Sequence, residues 1–233
     1  MFLEVRVEPV ARVRVKVCCI MSEEEALLAV RHGAAALGLV SHMPSGPGVI
    51  SEERIAQIAA KVPPPVGTFL LSASTDVDAL VAQHQRTRTN TLQLVDSLPA
   101  GHLQALRERL PGVRLVQVIH VTGPASLDEA LSVAPWVDAL LLDSGNPTLA
   151  VKELGGTGRV HDWEVSRRIR EQASIPVFLA GGLRPENVLE AVRQVGPYGL
   201  DICSGLRTDG RLDEDKVFRF FRALDTLAPL ARP

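Results

Sequence analysis

The 233-residue chain alternates between two kinds of stretch. Short apolar runs, rich in Val, Leu and Ile, recur at 13–18, 35–40, 66–71, 91–95, 113–120, 137–142, 175–180 and 198–204. After each comes a stretch with apolar residues at helical spacing, at about 22–32, 51–61, 74–86, 100–110, 124–134, 162–172, 185–195 and 213–227. A continuous apolar run reads as a strand covered on both faces, and a repeat near 3.6 residues as a helix with one buried face. Eight such pairs in strict alternation predict an α/β fold, a single (β/α)8 barrel. The count, and the lack of a GxGxxG after the first run, disfavour an open doubly wound sheet. Residues 1–12 alternate weakly and carry Pro9, so they are read as an N-terminal extension, with the barrel domain at 13–233.

Local punctuation supports the pattern. Ser22 with Glu25 three residues on is a capping box, and Gly33 stops the first helix. Ser51 and Asp162 stand where N-caps are needed. Pro185 suits the first turn of the seventh helix.

In such a barrel the carboxyl ends of all strands meet on one face. Cys18, Gln93, His120, Asp143, Gly181-Gly182 and Ser204-Gly205 are therefore expected to converge. Asp143 closes an apolar run, and a carboxyl group drawn out of water holds its proton nearer neutrality, as a general acid needs. Cys18 is a candidate base if a cation lowers its pKa, and Lys16, two residues away on the strand, points to the same side. Cys19 is expected to face the other way and pack, and Cys203 to lie inside the eighth strand as a structural thiol. His120 is read as a satisfied strand-end histidine and His161 as loop surface. Glycines at the ends of two neighbouring strands, with Gly155-Gly156-Thr157-Gly158 after the sixth, let backbone N–H groups approach an anion, the usual phosphate position in these barrels.

Composition narrows the class. Charged residues are 22% and the net charge is −2, which leaves no basic patch for nucleic acid. No apolar run is long enough to span a membrane, and the N-terminus lacks signal-peptide character, so no membrane partner and a cytoplasmic location are expected. Three cysteines make no disulfide framework, and no HxxxH, CxxC or carboxylate cluster suggests a metal.

The motifs KVCCI (16–20), GAAALGLV (33–40), LQL (92–94), LLLDS (140–144), GGTGRVHDW (155–163), LAGGLRPENV (179–188) and YGLDICSGL (198–206) resemble those of the phosphoribosylanthranilate isomerase family, over nearly all of the chain after residue 12. The resemblance implies an Amadori rearrangement of N-(5-phosphoribosyl)anthranilate in tryptophan biosynthesis, without a cofactor. It implies Cys18 as general base and Asp143 as general acid, with Gly156, Gly182, Ser204 and Gly205 in the phosphate-binding loops. Lys16, Gln93 and Gly181 complete the expected substrate-binding set. A small phosphorylated sugar is the expected partner, in a monomer or homodimer.

This chain departs from the family pattern at several positions. Cys19 stands where the family has glycine, and Met21 where it has threonine. The second loop, Ser45-Gly46-Pro47-Gly48, lacks the arginine that pairs with the anthranilate carboxylate in the family. Gln93-Leu94-Val95-Asp96 replaces Q-L-H-G, and Arg207 replaces an acid, making Arg207 a candidate replacement cation. Two rival readings are a paralogue acting on another sugar phosphate and a non-catalytic barrel that binds a phosphate ligand.

Overall fold

The structure, a computed structural model, describes residues 13–145, 149 and 160–227. Eight parallel strands close into a barrel: β1 (Arg14–Val17), β2 (Ala36–Val40), β3 (Gly67–Ser72), β4 (Thr91–Leu94), β5 (Arg114–His120), β6 (Ala139–Asp143), β7 (Val177–Leu179) and β8 (Gly199–Ile202). Between them run α1 (Glu23–Arg31), α2 (Glu52–Lys61), α3 (Val77–Thr87), α4 (Ala100–Arg109), α5 (Ser126–Val133), α6 (Trp163–Gln172) and α7 (Val188–Val195). A small hairpin, β9 (Arg207–Thr208) and β10 (Arg211–Leu212), precedes α8 (Glu214–Asp225). Among the described residues, no helix is long and apolar enough to cross a membrane.

The strands are apolar on both faces because each face meets a different core. Val15, Leu37, Leu70, Leu92, Leu115 and Leu140 pack outward under the helices. Val40, Leu71, Val118, Leu141, Phe69 and Phe178 fill the inside, where the two rings meet edge to face with centroids 6.1 Å apart. Strand alternation assigns each residue to one of these layers. Burying an aliphatic side chain of this size stabilises by roughly 1.5–3 kcal/mol.

Most expected boundaries fall within a few residues of the observed ones, with two that matter. The strand β8 ends at Ile202, so Cys203 lies outside it. Helix α7 begins at Val188, which puts Pro185 in the preceding turn. Asn187 shapes that turn by accepting from the Arg184 amide (2.9 Å) and donating to the Gly182 carbonyl (3.0 Å). Ser22 caps α1 through the Glu25 amide, but the Glu25 carboxylate reaches back to the amide of Met21, one residue beyond the usual box.

Candidate active site

Lys16 and Cys18 share the inward parity of β1. Lys16 has no exposed surface, and its Nζ lies 2.8 Å from Asp201 Oδ1, on the residue opposite it in β8. The ammonium also stands 5.4 Å from the centroid of the Phe69 ring. A Cβ on Gly38 would fall 2.6 Å from Cys18 Sγ and 2.9 Å from Lys16 Nζ, so the missing side chain in β2 is what leaves room for both. Burial, the largest single influence, disfavours the charge on Lys16, but Asp201 and Cys18 together outweigh it and hold the ammonium protonated well above the usual range. Lys16, expected to bind the substrate, is fully buried here and paired with Asp201.

Past Val17 the chain no longer follows strand alternation. Cys19 takes a left-handed conformation (φ 61°), which turns its side chain back toward the pocket. Cys203 Sγ donates to Cys19 Sγ at 2.6 Å. The Cys19 thiol in turn is the hydrogen-bond partner that, more than any other group, lowers the pKa of Cys18, with burial and Asp201 opposing and Lys16 assisting. Cys19 itself is pushed well up, chiefly by that bond. The three thiols thus form a relay that ends on the candidate base. Cys19 and Cys203 are not the plain packing residues expected of them. Both line the pocket, because each stands just beyond its strand.

Arg207 holds this segment. It forms a two-pronged pair with Glu25 (both contacts 3.0 Å) and donates to the carbonyl of Cys19. Glu25 also accepts from the amides of Met21 and Leu212. Burial opposes the ionised form of Glu25, but Arg207 and the two amides hold its carboxyl below the ordinary range. Arg207 is therefore a brace between α1, the end of β1 and the β9–β10 hairpin, and not the replacement cation the sequence suggested.

On the opposite wall, Asp143 ends β6. It is buried, and burial raises its pKa against the opposing effect of the Ser144 amide, which donates to Oδ1 at 2.8 Å. His120 is its neighbour in β5; the His120 Nε2 lies 2.9 Å from the Val95 carbonyl, but its buried Nδ1 has no hydrogen-bond partner among the described residues, so the histidine is only half satisfied. Gln93 from β4 faces the same pocket, and its buried Oε1 has no hydrogen-bond partner among the described residues. His161, expected on the surface, is half-buried. Its Nε2 lies 2.7 Å from Ser166 Oγ, and burial holds its pKa down at about 4.

At the ends of β7 and β8 the backbone is shaped by glycines. Gly181 and Gly182 both have positive φ (80° and 62°), a conformation that costs other residues about 1–2 kcal/mol. A Cβ on Gly205 would lie 2.0 Å from the Leu183 carbonyl oxygen, so only glycine lets the two loops touch. Ser204 begins a short 3-10 turn (Ser204–Leu206) and is exposed.

The pocket brings together Cys18, Gln93, Asp143, Gly181, Gly182 and Ser204, with Gly205 directly behind. Gly156, with the rest of the Gly155–Gly158 segment, lies outside the described residues. Asp201, which also lines the pocket, was missed from sequence. Its signal was a lone carboxylate in the apolar run YGLDIC, at the inward parity. Among the described residues, no group of three or more His, Cys, Asp or Glu is placed to hold a metal ion.

Comparison with known proteins gives a consistent picture. Residues 15–223 match the family model described as N-(5'phosphoribosyl)anthranilate (PRA) isomerase. N-(5'-phosphoribosyl)anthranilate isomerase 2 of Methanosarcina mazei is 37% identical, over 89% of this chain and 92% of its own. The crystal structure of phosphoribosyl anthranilate isomerase from Thermotoga maritima is 28% identical, with a TM-score of 0.79 over 92% of this chain and all of the other. A phosphoribosyl anthranilate isomerase in complex with reduced 1-(o-carboxyphenylamino)-1-deoxyribulose 5-phosphate is 26% identical with a TM-score of 0.76, again over 92% of this chain and 100% of the other.

Proposed function

The chain belongs to the phosphoribosylanthranilate isomerase family, and we propose that it catalyses the Amadori rearrangement of N-(5'-phosphoribosyl)anthranilate with Asp143 as acid and Cys18 as base. The observation that carries this reading is the pairing of the two groups across one pocket, with their proton affinities moved toward one another. Burial raises Asp143, and the Cys19 thiol lowers Cys18. The reaction needs a protonated acid and an ionised base at the same moment, so both shifts enlarge the competent fraction of the enzyme.

Asp143 gives its proton to the ribose ring oxygen as the bond from C1 to that oxygen breaks, and the nitrogen lone pair forms a Schiff base at C1. The Cys18 thiolate then removes the proton on C2, and the electron pair moves to give an enolamine. Tautomerisation yields the ketone. Lys16 and Asp201 act beneath this chemistry: the ammonium favours the thiolate, and Asp201 keeps the ammonium in place. The backbone at Gly181, Gly182, Ser204 and Gly205 suits the phosphate, with Gly156 assigned to the same group by resemblance alone. Gln93 Oε1 offers an acceptor to a sugar hydroxyl.

One observation favours a second reading, a paralogue acting on another phosphorylated aminosugar with the same acid–base pair. Among the described residues lining the pocket, none on the Ser45–Gly48 loop is a cation, and Arg207 is engaged with Glu25. Purified protein assayed with N-(5'-phosphoribosyl)anthranilate, together with growth rescue of a tryptophan auxotroph lacking this step, separates the two. Turnover with rescue supports the first. No turnover, with proton exchange at C2 of another sugar phosphate, supports the second.

A further inference from the structure

We propose that Cys19 and Cys203 form a reversible disulfide at the mouth of the pocket, and that a low-molecular-weight disulfide is the oxidant that makes it. The two sulfurs stand 2.6 Å apart, well inside the contact distance of two unbonded sulfur atoms. A disulfide needs about 2.05 Å, so a shift of roughly half an ångström closes the bond. Both cysteines line the pocket, but Cys203 is half-buried and Cys19 buried, so a small reagent reaches Cys203 first. The competing bond between Cys18 and Cys19 is disfavoured by geometry. Consecutive Cα atoms lie about 3.8 Å apart, below the usual span of roughly 4.4–6.8 Å for a disulfide.

The exchange proceeds in two displacements. The Cys203 thiol, after giving its proton to solvent, attacks one sulfur of the small disulfide, forming a mixed disulfide and releasing one small thiolate. Cys19, losing its proton in turn, attacks the Cys203 sulfur of that mixed disulfide and releases the second. The protein loses two electrons and two protons, and the reagent is reduced to two thiols. Two consequences reach the site. Cys19 can no longer donate to Cys18, because its proton is gone. The Gly48 backbone, which packs on the Cys19 side chain, must follow its movement, and with it the pocket-lining residues Ser45 to Pro47. We therefore expect the oxidised protein to turn over more slowly.

The test uses the full chain incubated with oxidised glutathione, then with dithiothreitol. The bond itself is read by mass and does not depend on the assigned activity. The intact mass should fall by about 2 Da without a retained adduct, and a single digest peptide pair should join Cys19 to Cys203. Free thiols should drop from three to one, and Cys203→Ser should block the change. Three free thiols after oxidation, a stable glutathione adduct, or a cross-link between Cys18 and Cys19 overturns the proposal. The functional arm rests on the isomerase reading. Turnover should drop severalfold on oxidation and return with dithiothreitol in the wild type but not respond in Cys203→Ser. A cross-link that forms with turnover unchanged overturns the link to the site while leaving the isomerase reading intact. No turnover in either redox state would count against the isomerase reading without touching the disulfide.

Discussion

The α-carbon of Gly48 lies against the side chain of Cys19, so closely that a Cβ at position 48 would fall 2.5 Å from that of Cys19. Cys19 stands where the resemblance expects glycine, and Gly48 belongs to the Ser45–Gly48 loop that lacks the expected arginine, so the contact links the two departures. The Cβ and backbone Cα of Cys19 leave no room for a side chain at 48, where Gly48 also has a positive φ of 82°. Gly48→Arg alone should therefore destabilise the protein by about 2–3 kcal/mol, from overlap and backbone strain. That corresponds to a fall in Tm of about 4–10 °C. Adding Cys19→Gly removes the contact with the Cys19 Cβ and the left-handed strain at 19, but leaves the Cα of residue 19 at 2.8 Å from the added Cβ and the positive φ at 48, so it should recover only part of the stability. The double variant should also lower KM for the anthranilate substrate about tenfold or more, through the restored guanidinium. If Gly48→Arg proves as stable as the double variant, the two positions are not coupled.

Replacing Asp143 separates catalysis from stability. Asp143→Asn should reduce kcat by about a hundredfold or more with little change in KM, as should Cys18→Ser. The stability effect of Asp143→Asn has the opposite sign. A buried carboxyl with a raised pKa binds its proton more tightly folded than unfolded, so its contribution is lost as pH rises from the ordinary 3.8 through the raised folded value. The amide carries no such loss, so the variant should melt at or above the wild-type temperature at pH 7. Melting curves that show a clear loss would contradict the desolvated environment assigned to this group.

How far this site could be read in advance depended on the kind of information each residue carried. Cys18 and Asp143 close apolar runs, so strand parity and barrel topology were enough to bring them together. Parity stops working where the strand stops. Nothing in a cysteine announces the left-handed turn that swings Cys19 back, and the early end of β8 was invisible in a run that stays apolar through Cys203. The partner of Lys16 lies 185 residues away, and only the register of β1 with β8 brings Asp201 to it. Arg207 was legible as a departure, but its choice of Glu25 over the pocket depends on a hairpin the pattern did not reveal.

The glycine-lined ends of β7 and β8 should bind inorganic phosphate. With a Kd near 1 mM, 10 mM phosphate should stabilise the fold by about 1.4 kcal/mol, a rise in Tm of about 3–6 °C. Ser204→Asp places a like charge at an exposed position in this loop and should abolish the rise while leaving the phosphate-free Tm nearly unchanged. An equal rise in the variant would move the anion elsewhere.

His161 predicts an acid-sensitive step in stability. Its folded pKa is about 4, against 6.5 when free, so the unfolded chain binds the extra proton in this window. The contribution is fully present above pH 6.5 and is lost as pH falls toward 4. Its size is about 2 kcal/mol after allowance for partial exposure. His161→Gln, which keeps a hydrogen-bonding group near Ser166, should flatten the decline in unfolding free energy across that window. An unaltered slope would show that the imidazole is freely solvated.

The pairing of Lys16 with Asp201 also bears on when the enzyme becomes active during its own synthesis. The cation stands on the first strand and its counterion on the last, and the brace from Arg207 to Glu25 joins the same two ends of the chain. A growing chain carries Cys18 from the start, but without β8 that thiol lacks Asp201, Cys203 and the β1–β8 ladder beside it. Chemistry must then wait for the final strand to dock. A partly made or truncated barrel would hold an exposed, unpartnered lysine and an untuned thiol. Catalytic competence is in this sense a report that the ring has closed.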